Sequence, residues 1–201
     1  MCRIGIMGGT FNPIHIGHLL LAEWAVEYAD LDEVWIIPAG VPYQKSGDNI
    51  LPGAERLHMV QLAIEGNPKM QSLDLEIKRE GYTYTYETLE ELKALHPDNQ
   101  YFFIMGADCL FSLESWKEPE KIFRNSTLIA ALRNDMSMEK MIEKKRELIR
   151  RFGGDIILLP FIRMSISSSE IRKRVSEGKS IRYMVPDSVK NYIDEKGFYR
   201  G

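Results

Sequence analysis

Several things are scarce in this sequence, and each scarcity excludes a class of protein. Cys2 and Cys109 are its only cysteines, too few for a disulfide scaffold or a cysteine-based zinc site. No apolar stretch approaches the roughly 20 residues needed to span a bilayer. The first residues turn glycine-rich before they could form a signal-peptide core, and no basic segment precedes them. Basic excess is missing too: 26 Lys and Arg against 29 Asp and Glu give a net charge of -3, which disfavours a strongly basic nucleic-acid-binding domain. No internal repeat or low-complexity segment interrupts the chain. These absences lead us to expect a cytoplasmic protein with neither a membrane nor a nucleic-acid partner. The 201 residues, 44% of them hydrophobic, suffice for one sizeable core and are short for two independent ones. The expectation is a single domain over residues 1–201, with a small helical part at about 160–201.

Short apolar runs alternate with helical patterns along most of the length. Arg3–Met7, Glu33–Ile37, Tyr101–Met105, Thr127–Leu132 and Asp155–Leu159 read as strands. Leu73, Leu75 and Ile77 alternate with polar residues and predict another strand with one wetter face. Helices are predicted over Ile16–Ala29, Ala54–Glu65, Thr85–Leu95 and Ser137–Phe152, the last charged but carrying a stripe of Met138, Met141, Ile142, Ile149 and Phe152. Such alternation favours an α/β fold, a Rossmann-like doubly wound parallel sheet with helices on both faces. Sheets of that kind bind ligands beyond the carboxyl ends of their strands, so the first strand-to-helix loop is where chemistry is expected.

That loop reads Gly8-Gly9-Thr10-Phe11-Asn12-Pro13-Ile14-His15-Ile16-Gly17-His18. Two glycines allow a sharp turn and close approach to a phosphate, leaving the N–H groups of Thr10 and Phe11 to face an anion. His15 and His18, three apart at a helix start, share one face near its positive end. There, imidazoles can donate to phosphate oxygens as charge builds in a transition state. Rival phosphate motifs fail. Gly-x-Gly-x-x-Gly is absent from this turn. Gly178-Lys179-Ser180 resembles the end of a P-loop, but Lys173 occupies the required earlier glycine position.

A second anion site is predicted where Ser167 and Glu170 show capping-box spacing. A helix beginning there offers unpaired N–H groups and the Ser168 and Ser169 hydroxyls, with Arg172 about one turn in.

Gly8 to His18 resembles the H-x-G-H loop of the nucleotidyltransferase superfamily. Within it, GGTFNPIHIGH is similar to the G-G-T-F-D/N-P-x-H-x-G-H motif of bacterial nicotinate-nucleotide adenylyltransferases. Ser167-Ser168-Ser169-Glu170-Ile171-Arg172 resembles that family's S-S-T-x-I-R, with Ser169 in place of Thr. Pro42-Tyr43-Gln44-Lys45 keeps the first Pro and the Lys of P-P-H-K. Glu76 to Leu89 resembles E-x-x-R-x-G-x-S-Y-T-x-x-T-L, and Gly106-Ala107-Asp108 with Leu113 and Trp116 resembles G-A-D…L…W. The likeness continues through Ile181-Arg182-Tyr183-Met184-Val185-Pro186 to Gly197-Phe198-Tyr199, so it covers essentially the whole chain.

The resemblance implies transfer of AMP from ATP to nicotinate mononucleotide, giving deamido-NAD and pyrophosphate. It implies His15, His18 and Arg172 as catalytic residues. Gly8, Gly9, Thr10, Phe11, His18, Gly106, Ser167, Ser168 and Arg172 would bind ATP. Asn12, Lys45, Tyr84, Thr85, Asp108, Trp116 and Arg133 would bind the mononucleotide. Mg2+ is expected to travel with the ATP phosphates, because no carboxylate cluster suits an all-protein cage. Transfer to another acceptor (nicotinamide mononucleotide or phosphopantetheine) stays open, as do a non-catalytic nucleotide sensor and a homo-oligomer. An aminoacyl-tRNA synthetase is disfavoured, because 201 residues leave no room for tRNA-binding domains.

Overall fold

The structure, a computed structural model, describes residues 1–42, 50–131, 138–160 and 165–200. Among them, apolar runs form five strands of a six-stranded sheet. These are β1 (Arg3–Gly9), β2 (Glu33–Pro38), β6 (Gln100–Gly106), β7 (Thr127–Ala131) and β8 (Ile156–Leu159), with β4 (Met70–Ser72) completing the set. The order is β4-β2-β1-β6-β7-β8. β1 pairs in parallel with β6 from Arg3 opposite Gln100 to Ile6 opposite Phe103. β6–β7 and β7–β8 are parallel as well. The winding direction therefore reverses at β1 and β6, the arrangement in which ligands bind beyond the strand carboxyl ends. Strands in such sheets are covered on both faces, which is why they read as unbroken apolar runs rather than alternations.

One strand departs from expectation. The alternation at Leu73–Ile77 does not pair; the edge strand is Met70–Ser72, and the chain then turns. Leu73 closes the pairing by donating its N–H to the Ile36 carbonyl at 3.1 Å. Beyond it Glu76, the polar member of the alternation, is buried while Leu75 and Ile77 are only half-buried. A second sheet was not predicted: β3 (Val41–Pro42) pairs in parallel with β5 (Tyr82–Thr83). Two-residue strands carry too little pattern to be seen in sequence.

The helices are α1 (Ile16–Tyr28), α2 (Gly53–Ile64), α3 (Thr85–Leu95), α4 (Ala107–Ser112), α5 (Pro119–Asn125), α6 (Met138–Phe152), α7 (Ser168–Ser176) and α8 (Asp187–Lys196). Four of them begin and end within a residue of the ranges predicted. On α6 the buried side chains are Met141 and Leu148, whereas Met138 is exposed. Among the described residues no helix is long and apolar enough to cross a membrane.

The chain forms two compact units, each assembled from separate segments. The first comprises Met1–Met7, Leu21–Trp35 and Tyr84–Arg163; the second comprises Gly8–Leu20, Ile36–Thr83 and Met164–Gly201. The first is centred on buried residues of β6, β7 and β8, with Ile122 and Leu148 packed among them. The second buries Ile14, Ile37, Met59, Val60, Ile171, Val189 and Ile193.

Within the second unit Gly40 marks a close backbone approach. A Cβ there would lie 2.1 Å from the Glu76 carbonyl oxygen, a main-chain atom that cannot swing aside. Gly40→Ala should therefore lower stability by about 2 kcal/mol or more, the scale of an overpacked interior. Chemical denaturation measures it; an unchanged midpoint would contradict this approach.

Candidate active site

The loop after β1 is held in a conformation its own residues disfavour. Phe11 has φ 47°, the left-handed region that an L side chain occupies only when its surroundings enforce it. Its ring is buried, 3% exposed, and meets the His18 ring edge-on at 5.1 Å. A Cβ on Gly9 would lie 2.9 Å from that ring, so the glycine makes room for Phe11. The peptide between Asn12 and Pro13 is cis.

Main-chain carbonyls of the loop are captured one after another. Arg56 donates to Thr10 O at 2.8 Å, Arg172 to Asn12 O at 2.8 Å, and the Ser168 hydroxyl to Pro13 O at 2.8 Å. Because a trans peptide is planar, fixing one carbonyl aims the next N–H the opposite way. The N–H groups of Phe11 and Ile14 thus point away from the side chains that hold the loop.

His15 and His18 come together as the spacing predicted. Their rings stack with centroids 3.6 Å apart and 18° between planes. The His15 main-chain N–H donates to His18 Nδ1 at 3.3 Å. A nitrogen that accepts carries no proton, so His18 holds its proton on Nε2 and presents an N–H donor there.

The predicted capping box is present. Ser167 Oγ caps α7 by accepting from the Glu170 N–H at 3.2 Å. Arg172 also reaches Ser169 Oγ at 3.3 Å. Since the Ser168 hydroxyl proton is used by Pro13, the donor this residue can offer an anion is its main-chain N–H in the first turn. Gly8, Gly9, Thr10, Phe11, His15, His18, Ser167, Ser168 and Arg172 all belong to the second unit.

Two members of this cluster escaped sequence reasoning. Arg56 is 1% exposed, and besides Thr10 it donates to Leu51 O at 2.9 Å, Ala39 O at 2.6 Å and Gly40 O at 3.0 Å. Burial pushes its guanidinium below the ordinary arginine value, while Tyr199 and Glu76 oppose that shift. Tyr199 donates its hydroxyl to Asn12 Oδ1 at 2.8 Å, an oxygen that also accepts from Leu51 N–H at 3.3 Å. Burial raises the Tyr199 phenol well above its ordinary value, against the pull of Arg172 and Arg56; the hydroxyl therefore keeps its proton. Asn12, predicted to meet the mononucleotide, is 3% exposed and turns its side-chain oxygen inward to these partners. A charged residue inside a helix and an aromatic 187 positions from Asn12 leave no local signature.

The other predicted acceptor residues that the structure describes lie in the first unit, and so does Gly106. Tyr84 is the N-cap of α3 and Thr85 its first residue. The Lys117 ammonium sits 4.2 Å from the centre of the Tyr84 ring, so the segment carrying Trp116 meets this helix start. Trp116 is half-buried and packs edge-on against Phe103 at 6.1 Å. Its buried indole N–H finds no hydrogen-bond partner among the described residues. Gly106 caps α4, and Asp108 is exposed in the first turn. Lys45 and Arg133 lie outside the described residues.

The cap at Ser167 is separable from the rest of the cluster. Ser167→Ala should cost about 1 kcal/mol of stability, the usual scale for a lost helix cap. Thermal unfolding checks it, and a gain in stability would contradict the cap.

Comparison with known proteins bears on the whole chain. The profile of the Cytidylyltransferase-like family matches residues 6–174. A protein of Lachnoclostridium phytofermentans named "Probable nicotinate-nucleotide adenylyltransferase" is 44% identical over 199 residues, covering 99% of this chain and 100% of its own. One of Clostridium beijerinckii with the same name is 42% identical over 204 residues, covering 100% of both. Among solved structures, Plasmodium falciparum nicotinic acid mononucleotide adenylyltransferase complexed with NaAD superposes with a TM-score of 0.82 at 24% identity. The match covers 99% of this chain and 98% of that one, and at that identity it speaks for the fold.

Proposed function

The chain belongs to the Cytidylyltransferase-like family, among the bacterial nicotinate-nucleotide adenylyltransferases, and from that premise we propose that it joins nicotinate mononucleotide to the AMP part of ATP. The products would be deamido-NAD and pyrophosphate. The observation that carries this reading is the stacked His15–His18 pair gathered in one unit with the capped start of α7.

In this reading the mononucleotide phosphate attacks the α-phosphorus of ATP directly, so catalysis consists of positioning and charge stabilisation. Gly8, Gly9, Thr10 and Phe11 lie along the α-phosphate, with the Phe11 N–H turned away from Arg56 by the Arg56–Thr10 bond. His18 donates from Nε2 to the transferring group, and His15, stacked on it, serves the departing pyrophosphate. The first turn of α7 and Arg172 receive the outer phosphates, and Gly106 borders the nucleotide. On the acceptor side Tyr84 and Thr85 address the nicotinate carboxylate and Trp116 its ring, with Asp108 beside the mononucleotide, the role that the resemblance also gives Lys45 and Arg133.

Mg2+ enters as part of the ATP substrate. Among the described residues no three His, Cys, Asp or Glu side chains gather where they could hold a metal, so phosphate oxygens and water would be its ligands. The reading makes this a cytoplasmic enzyme of two nucleotides, whether or not copies of the chain associate.

His18→Ala should lower kcat on the order of 10²–10³-fold while raising KM far less, the pattern of a donor used mainly in the transition state. Steady-state pyrophosphate release measures both constants. Near-normal turnover in folded protein would remove His18 from the reaction.

Acceptor choice gives a second test. First-turn N–H groups at Thr85 favour a carboxylate over a carboxamide, whose own NH2 would face donors; a mispaired polar contact costs about 1–3 kcal/mol. At least a tenfold preference in kcat/KM for nicotinate over nicotinamide mononucleotide should result, and Trp116→Ala should reduce use of both. Side-by-side kinetics decide it: equal efficiency would make the enzyme indifferent to the acceptor, and no transfer to either would overturn the proposed function.

A further inference from the structure

The Gly197-Phe198-Tyr199 element has no part in the mechanism above, yet its geometry is specific. Gly197 ends α8 with φ 66°. The Phe198 N–H donates back to Ile193 O at 3.1 Å, and the Phe198 ring meets Tyr192 edge-on at 5.7 Å. The Tyr192 hydroxyl is in turn held by Glu55 of α2. Tyr199 then takes φ 63°, left-handed without the excuse of glycine. The result of this turn is a single polar contact, the Tyr199 hydroxyl on Asn12 Oδ1 at 2.8 Å. Asn12 lies between the two peptides whose carbonyls Arg56 and Ser168 capture, and its own carbonyl is captured by Arg172. Asn12 is thus gripped by side chain and main chain from α7 and from the segment after α8.

We propose that Tyr199 is a positioning residue for adenylyl transfer: its hydroxyl fixes Asn12, and through Asn12 it fixes the directions of the Phe11 and Ile14 N–H groups. Its hydroxyl acts through Asn12. With the Tyr199 contact on Asn12 lost, the strained Phe11 loses one of the constraints that over-determine it. The Phe11 N–H, on the side of its peptide away from Arg56, then samples directions unsuited to the transition state, while Ile14, 0% exposed, only reports the loosening; misplacement by a fraction of an ångström is costly in transfer chemistry. Ground-state binding, spread over more contacts, is affected less.

The proposal rests on the reaction inferred above, so its experiment has one arm that needs no turnover. Tyr199→Phe keeps the ring and removes only the hydroxyl, and Asn12 Oδ1 retains the Leu51 N–H. A control, Tyr101→Phe, removes a buried hydroxyl of the first unit that donates to Leu92 O at 2.9 Å. Tyr199→Phe should lower kcat about tenfold with KM for both substrates within about threefold. Amide hydrogen exchange at Phe11 and Ile14 should become several-fold faster. The control should change neither. The proposal is overturned if Tyr199→Phe keeps kcat within twofold of the unchanged protein, if exchange at the two amides is unaltered, or if Tyr101→Phe slows turnover as much. Should the unchanged protein transfer no adenylyl group, the proposed reaction fails by itself, and the exchange rates alone decide whether Tyr199 holds the loop.

Discussion

A guanidinium buried to 1% exposure and donating to four main-chain carbonyls fixes the second unit around itself. Taking such a charge out of water is expensive unless its donors are met. Here Thr10, Ala39, Gly40 and Leu51 meet them. These residues come from three stretches of chain: the loop after β1, the end of β2 and the approach to α2. Their positions follow from the donor fork of Arg56, which is planar and rigid. The tight approach of Gly40 to Glu76, the main-chain donation from Leu51 to Asn12 and the left-handed Phe11 all depend on that assembly. Strain at Phe11 is tolerable because the energy of holding it is spread over several buried bonds.

Much of this was legible in the residues alone. The inner strands were visible because sheets buried on both faces leave unbroken apolar runs. The boundaries of α3 were visible because Pro97 lies just beyond its end, and the start of α7 because Ser167 and Glu170 are a local pair. What stayed hidden depends on distant partners. Leu73–Ile77 satisfied the strand period, but the sheet edge is occupied by Met70–Ser72 and the polar Glu76 goes inward. Arg56 looks like any solvated charge on an amphipathic helix, since nothing near it in sequence supplies the carbonyls it meets. The same holds for Tyr199, whose resemblance to a family motif marks the residue without stating its contact.

The two sets of functional residues, mixed along the chain, separate by unit. Those assigned to the triphosphate, apart from Gly106, lie in the second unit. Those assigned to the acceptor that the structure describes, apart from Asn12, lie in the first. Family motifs read in chain order conceal this sorting. A substitution in α7 acts through bonds internal to its own unit, and one at Trp116 through Phe103 and the start of α3.

The segmented make-up of the units also orders events during synthesis. Every segment of the first unit precedes residue 164, so a growing polypeptide can complete that unit while the other still lacks α7, α8 and Tyr199. Domains made early on the ribosome fold early, whereas contacts 155 to 187 positions apart must wait for the later residues and for the closure of long loops. The loop after β1, translated well before the residues that hold it, is consequently among the last elements to acquire its shape. A nascent chain that stalls before α7 would carry both histidines but not the Ser168 and Arg172 contacts that organise the loop.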